Sequence, residues 1–165
     1  MIFRRLALRD FRRFAAYATT FAPGLTVILG DNEAGKSTLR EAITAALFHS
    51  PKTSKSDVLG LKRWGAVEQF SVELEYEADG DVWLLSKDFQ KKAARLENRD
   101  TGAVLTDVRA IDAQVGAALG LASKALFEST VRVTQREVTT LQDREGIADS
   151  LQQVMTGGED ETRVS

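Results

Sequence analysis

The residues Gly30-Asp31-Asn32-Glu33-Ala34-Gly35-Lys36-Ser37 fit the pattern GxxxxGK[ST] at every fixed position. Upstream, Leu25-Thr-Val-Ile-Leu29 is almost continuously apolar, as expected of a strand buried on both faces. Downstream, Leu39, Ile43, Ala46 and Leu47 recur at helical spacing from Ser37 to about Phe48, ahead of Pro51. A strand, a glycine loop and a helix in that order make an anion cradle. The glycines let the backbone curl so that consecutive N–H groups converge, and the helix N-terminus adds a partial positive charge. Lys36 would set its ammonium on β and γ phosphates, and the Ser37 hydroxyl would ligate Mg²⁺. The expected nucleotide contacts are therefore Gly30, Asn32, Glu33, Ala34, Gly35, Lys36, Ser37 and Thr38. The bland alternative is a glycine-rich turn that merely joins strand to helix.

Composition narrows the remaining possibilities. A chain of 165 residues has room for one domain with a real core. It has no Cys and one His, His49, which excludes a disulfide framework, a thiolate metal site, a Cys nucleophile and a His-cluster metal site. No apolar run approaches the roughly 20 residues that span a bilayer, and no secretory apolar region opens the chain. The expectation is a soluble, cytoplasmic protein without a membrane partner. A net charge of −2 gives no global pull toward nucleic acid, yet Arg4, Arg5, Arg9, Arg12 and Arg13 crowd the start against Asp10 alone. There Ile2, Arg4, Leu6 and Leu8 alternate with Phe3, Arg5, Ala7 and Arg9, which reads as a strand rather than a targeting presequence.

The other elements follow from period and punctuation. Strands are expected over Ile2 to Leu8 and Ala15 to Phe21, with Pro23-Gly24 closing the second. Residues 50–64 carry Lys52, Lys55, Lys62 and Arg63 without periodicity and read as a loop. From Phe70 the period is two, with Phe70, Val72, Leu74 and Tyr76 facing one way and Ser71, Glu73, Glu75 and Glu77 the other. Turns at Ala78-Asp-Gly80 and Asp100-Thr-Gly102 bracket return strands over Val82 to Phe89 and Ala94 to Asn98, an antiparallel meander. A helix from about Asp107, capped by Thr106, aligns Val108, Ile111, Val115 and Leu119. Beyond it the pattern gives a short helix Ser123 to Glu128, a strand at Val131 and Val133, a helix Asp143 to Met155, and a polar tail.

Not every nucleotide-binding class suits this layout. The only GTPase-like strings, Asp57-Val-Leu-Gly60 and Ser54-Lys-Ser-Asp57, share one Asp and cannot both serve. A small-molecule kinase usually begins with its loop strand, whereas two strands precede it here. Three segments in order resemble the N-terminal half of an SMC-type ATPase head, the ABC-like family that includes SbcC, RecF, RecN and YhaN-like proteins. Leu8-Arg-Asp-Phe-Arg-Arg-Phe14 is similar to the family's opening strand and aromatic-basic turn. Gly24 to Ile43 is similar to its phosphate loop and first helix, and Phe127-Glu-Ser-Thr-Val-Arg-Val-Thr-Gln-Arg-Glu137 to its Q-loop. The resemblance implies an α/β fold of the ABC/SMC type, a mixed sheet carrying an antiparallel meander and flanking helices, with ATP and Mg²⁺ as ligands.

It also implies roles for single residues. Gln135 would complete the Mg²⁺ shell and help position the attacking water, although Arg136 stands where the family pattern has Gly. Arg12 matches a basic residue near the phosphates; a solvated strand-end Arg is its plain alternative. Lys55, Lys62 and Arg63 would line the nucleotide's outer face or be merely solvated. Residues 1–155 would form the lobe, and 156–165 a tail toward a coiled coil that the chain lacks. The family's Walker B strand, four apolar residues and Asp-Glu, has no match, since Val82-Trp-Leu-Leu85 runs into Ser-Lys-Asp. Thr156-Gly-Gly-Glu159 only superficially resembles the family signature, because the six residues after it are mostly polar and hold no Walker B strand. The implied partners are the C-terminal half of the same head, DNA, and a nuclease or accessory subunit. An autonomous phosphotransferase and a nucleotide-sensing module that never hydrolyses remain the rival readings.

Overall fold

The computed structural model describes residues 1–120 and Phe127. The chain divides into two compact units, Met1–Ala122 and Ser123–Ser165, and the strands and helices named below all belong to the first. Its scaffold is a six-stranded antiparallel sheet ordered β2-β1-β3-β4-β5-β6. The strands are β1 (Ile2–Phe11), β2 (Phe14–Thr20), β3 (Ser71–Ala78), β4 (Asp81–Asp88), β5 (Ala93–Asn98) and β6 (Val104–Leu105). The helices are α1 (Lys36–Phe48), α2 (Ser56–Leu59) and α3 (Val108–Leu119).

The core is a ladder of leucines set by strand parity. Leu6 pairs with Leu74, Leu74 with Leu85 and Leu85 with Leu96, and all four are fully buried. Fully burying one such side chain is worth roughly 1.5–3 kcal/mol. On the opposite face of β3, Glu73, Glu75 and Glu77 are only partly covered, as the period of two demands. The two residues joining β3 to β4, Asp79 and Gly80, both have positive φ, 54° and 89°, matching the twist of a tight hairpin. Phe70 ends the inward row of β3 and stacks obliquely between Phe11 and Phe89, with ring centroids at 5.6 and 4.9 Å. That aromatic cluster anchors the end of the sheet on which the loop after β1 turns.

Helix α1 lies on the buried face of the sheet, with Leu39, Ala42, Ala45, Ala46 and Leu47 inside. Three alanines on this face allow close approach of helix to sheet. Helix α3 covers β5 through Ile111 and Val115. Its cap is Asp107, whose carboxylate accepts from the Ala110 N–H at 2.9 Å, so the helix begins one residue later than Thr106 would have it. Gly120 ends it in the left-handed conformation.

Other expectations change as well. The 50–64 segment contains α2, which buries Val58 and leads to buried Leu61. The edge strand β6 had no signal, because two residues are too few for a period. The first strand runs on to Phe11. Most consequentially, residues 25–30 form no strand, and Leu25, Val27, Ile28 and Leu29 are 85%, 66%, 39% and 87% exposed. A strand buried on both faces needs hydrogen-bonding neighbours and two covering layers, and none of the described strands lies beside this run.

Candidate functional site

Three segments meet where the loop enters α1. The loop turns through Glu33, at φ 67°, with the Ala34 N–H donating to the Asp31 carbonyl at 3.1 Å. Gly35 follows at φ 105° as the N-cap of α1. A Cβ there would stand 2.5 Å from the Phe14 ring, so both the backbone angle and the close approach of Phe14 require glycine. Gly30 is similarly tight, since its Cβ would lie 3.0 Å from that of Ala34.

No side chain caps α1 and no acidic residue occupies its first turn. The first N–H groups of the helix therefore keep both their donors and the positive end of the helix dipole for an anion. Lys36 Nζ donates to the carbonyls of Gly30 at 2.5 Å and Asp31 at 2.7 Å, which places the ammonium against the loop. Ser37 is exposed beside it, and Thr38 is buried. Asn32, Glu33 and Ala34 are exposed. This donor set fits a nucleotide's phosphates: an uncapped helix start, a close-fitting glycine and an adjacent cation. Among the described residues no group of three or more His, Cys, Asp or Glu side chains converges. A Mg²⁺ site here would be of the kind completed by phosphate oxygens and water around one hydroxyl, rather than a carboxylate cage.

The β1–β2 turn brings Arg12 to the same helix. Arg12 has φ 51°, and its guanidinium donates to both carboxylate oxygens of Glu41, at 3.0 Å through Nε and 3.4 Å through Nη2. Both side chains are partly exposed, so the pair contributes at most about 1 kcal/mol. Its role is geometric: it ties the turn carrying Phe14 to the phosphate-loop helix. Glu41 and the contact of Phe14 with Gly35 had no sequence signal, because both cross from one element to another. The Arg12 N–H also donates to the Leu61 carbonyl at 2.6 Å, and the Arg63 N–H to that of Asp10 at 2.8 Å. These bonds set the 61–63 segment against the same turn. Lys62 reaches Gln90 at 2.6 Å, and the Arg63 guanidinium lies 3.7 Å from Asp10, so both have protein partners.

At the far end of α1 stands a residue to which no motif pointed. Lys87 occupies the buried row of Leu8, Val72 and Ala94, its side chain wholly inaccessible. Its Nζ donates to the carbonyl of His49, the C-cap of α1, at 2.9 Å and lies 3.7 Å from Asp112 of α3. Burial pushes its ammonium down to about 8 from the usual 10.5, against the opposing pull of Asp112. Parity held the clue: residues 85, 87 and 89 alternate inward, and a Lys among them has to find partners. Gln135 and Thr156-Gly-Gly-Glu159 lie outside the described residues.

A glycine loop, an uncapped helix N-terminus and a lysine at its mouth have the arrangement of a phosphate-loop motif. The chain belongs to the AAA domain family AAA_23, whose model matches residues 5–162. It is similar to the "DNA double-strand break repair Rad50 ATPase" of Methanococcus maripaludis, 37% identical over 93 residues, which are 56% of this chain and 9% of that protein. The same-named protein of Methanopyrus kandleri is 29% identical over 145 residues, 83% of this chain and 16% of the relative. The "DNA replication and repair protein RecF" of Limosilactobacillus fermentum is 33% identical over 56% of this chain and 28% of its own length. The chain thus spans less than a third of these curated relatives. A solved structure from work on "ATP-driven dimerization and DNA stimulated activation of SMC ATPases" shares the fold, with TM-score 0.51 and 16% identity over 87% of this chain and 98% of the other. The expected α/β architecture, helices flanking a sheet that carries an antiparallel meander, is observed, except that every described strand pair is antiparallel where a mixed sheet was expected, because the run 25–30 contributes no strand.

Proposed function

We propose that this chain is the ATP- and Mg²⁺-binding part of an SMC/SbcC-like head, whose longer parent hydrolyses ATP through head dimerisation in DNA repair or chromosome maintenance. The observation that carries this reading is the α1 N-terminus: left-handed Gly35, no side-chain cap, no acidic residue in the first turn, and Lys36 at the loop carbonyls. In this reading the loop N–H groups from Asn32 to Thr38 hold the phosphates and Lys36 exchanges its carbonyl partners for phosphate oxygens. Ser37 would hold Mg²⁺, and the Arg12 donors not engaged by Glu41 would reach the phosphates from the turn. Bound Mg²⁺ would neutralise charge developing on the transferred phosphoryl group. Gln135 would complete the metal's shell and orient the attacking water. Residues 1–155 would form the lobe, with 156–165 leading toward a coiled coil.

The exposed run Leu25–Leu29 supports the need for a complement. It enters the phosphate loop directly and has the composition of a central strand, so strands from the C-terminal half of the head would pair with it. The repair and SMC relatives support DNA as a partner, a cytoplasmic, nucleoid-associated location, and a place for a nuclease or accessory subunit. Among the described residues no helix is long and apolar enough to cross a membrane.

Turnover separates the readings. This chain alone should bind ATP and hydrolyse it negligibly, and addition of the parent's C-terminal half should restore both hydrolysis and dimerisation. Turnover near about 1 s⁻¹ by the chain alone, in the ordinary enzyme range, lost in Lys36→Ala, would instead favour a self-sufficient phosphotransferase. Binding that never yields hydrolysis, even with the C-terminal half, would favour a sensing module.

A further inference from the structure

The feature that nucleotide binding leaves unexplained is the buried cation at the far end of α1. An inaccessible Lys in a row of Leu8, Val72 and Ala94 is unfavourable by itself, because desolvating an ammonium outweighs what one carbonyl and a half-exposed carboxylate return. A Met or Leu of similar volume would fill the same space. What the ammonium adds is geometry. Its bond to His49 fixes the last turn of the phosphate-loop helix, where carbonyls lack helical partners and carry the negative end of the dipole. Its approach to Asp112 ties that turn to α3 as well.

Helix α1 has 13 residues, so about 20 Å of rigid rod separates this bond from Lys36. Polar contacts hold the rod near its middle, Arg12 on Glu41, and at its end, Lys87 on His49. Between them the buried side chains of α1 are Ala42, Thr44, Ala45, Ala46 and Leu47, of which three are alanines that interlock little with the sheet. We propose that Lys87 is a positioning residue for the nucleotide site, its buried ammonium fixing the C-terminal end of α1 against the sheet and α3 so that Lys36 and Ser37 are presented in one place. This rests on the phosphate-loop reading of the other end of the helix.

The groups facing the ammonium among the described residues come from three sides. From α1 it meets the His49 carbonyl, from α3 the Asp112 carboxylate, and from β3 and β5 the uncharged Val72 and Ala94 beside it. Loss of the Lys87 proton therefore removes the charge that, among the described residues, this contact holds on its buried side. Because Asp112 favours the charged form, removing its carboxylate should move that loss to lower pH.

The test is calorimetric titration of the intact chain with Mg²⁺-ATP between pH 7 and pH 9, for wild type, Lys87→Met and Asp112→Asn. Wild type should lose about threefold to tenfold in affinity across that range, the span a remote positioning residue contributes. Lys87→Met should already be weaker by that factor at pH 7 and show no further fall, while remaining folded by circular dichroism. Asp112→Asn, a change at a half-exposed side chain, should keep the wild-type fall but shift its midpoint to lower pH. A folded Lys87→Met that binds like wild type, or an Asp112→Asn profile superimposed on wild type, would overturn the proposal. If Lys87→Met does not fold, the Asp112→Asn midpoint decides alone. A wild type that binds no nucleotide at any pH would overturn the phosphate-loop reading and the proposal with it, whereas binding with a flat pH profile would overturn the proposal only.

Discussion

Two apolar segments of similar composition have opposite fates in this molecule. The inward row of β3, Phe70, Val72, Leu74 and Tyr76, is completely buried, whereas Leu25, Val27, Ile28 and Leu29 stand largely in solvent. The first alternates with polar residues and has β1 and β4 on either side to satisfy its backbone. The second is continuous and has no neighbour among the described strands. Apolar pattern therefore reports the environment a segment is built for, and only pairing partners decide whether that environment is present.

Substitution should separate the two segments most strongly. Leu74→Ala removes a side chain from the middle of the leucine ladder and should lower stability by about 2–5 kcal/mol, whereas Leu29→Ala in this chain should change it by less than about 0.5 kcal/mol. Urea denaturation of the two variants makes the comparison. An equal loss in both would mean that Leu29 is packed in solution and that the run already has its partner.

The next largest effect contrasts the two lysines at the ends of α1. Lys36 is exposed, whereas Lys87 is wholly inaccessible with its ammonium pushed down to about 8. The unfolded chain holds the Lys87 proton more tightly than the folded one, so folding stability rises as pH moves from about 8 to 10.5 and the charge no longer has to be buried. The stability difference between wild type and Lys87→Met should shift in favour of wild type by up to about 3 kcal/mol over that window. A pH-independent difference would show that Lys87 is solvated.

The smallest effect concerns the basic start, where the arginines are unequal. Arg4, Arg5 and Arg12 pair with Glu77, Glu73 and Glu41, while Arg9 and Arg13 form no ion pair among the described residues. Arg9 also borders a hollow floored by Ala7, Ala16 and Ala18 on the solvent face of the sheet. If these two cations meet DNA, log affinity should fall by roughly 1.8 per log unit of salt, about 0.9 for each contact. A flat salt dependence would leave Arg9 and Arg13 as solvated residues.

Much of the fold and of the site is legible in the sequence, for identifiable reasons. The meander can be read because Phe70 to Tyr76 obeys a period of two and Asp79-Gly80 supplies the two positive φ values of its turn. The phosphate loop can be read because its chemistry admits few residues at Gly30, Gly35, Lys36 and Ser37. Leu25–Leu29 misleads because a strand is a property of a pair, and one sequence shows one member. Asp107 displaces Thr106 as cap because the choice depends on which side chain reaches the Ala110 N–H. Lys87 escapes notice because its partners, His49 and Asp112, are distant in sequence and come together only through the packing of α1 and α3.

The central claim is that the α1 N-terminus is a nucleotide site, and Lys36 tests it most directly. Lys36 is exposed and, among the described residues, donates to loop carbonyls alone, so its removal should leave the leucine core and the melting temperature nearly unchanged. Calorimetric titration with Mg²⁺-ATP should show clear binding by the wild-type chain and none by a folded Lys36→Ala protein. Unchanged affinity in that variant would contradict the assignment of the loop as a phosphate cradle.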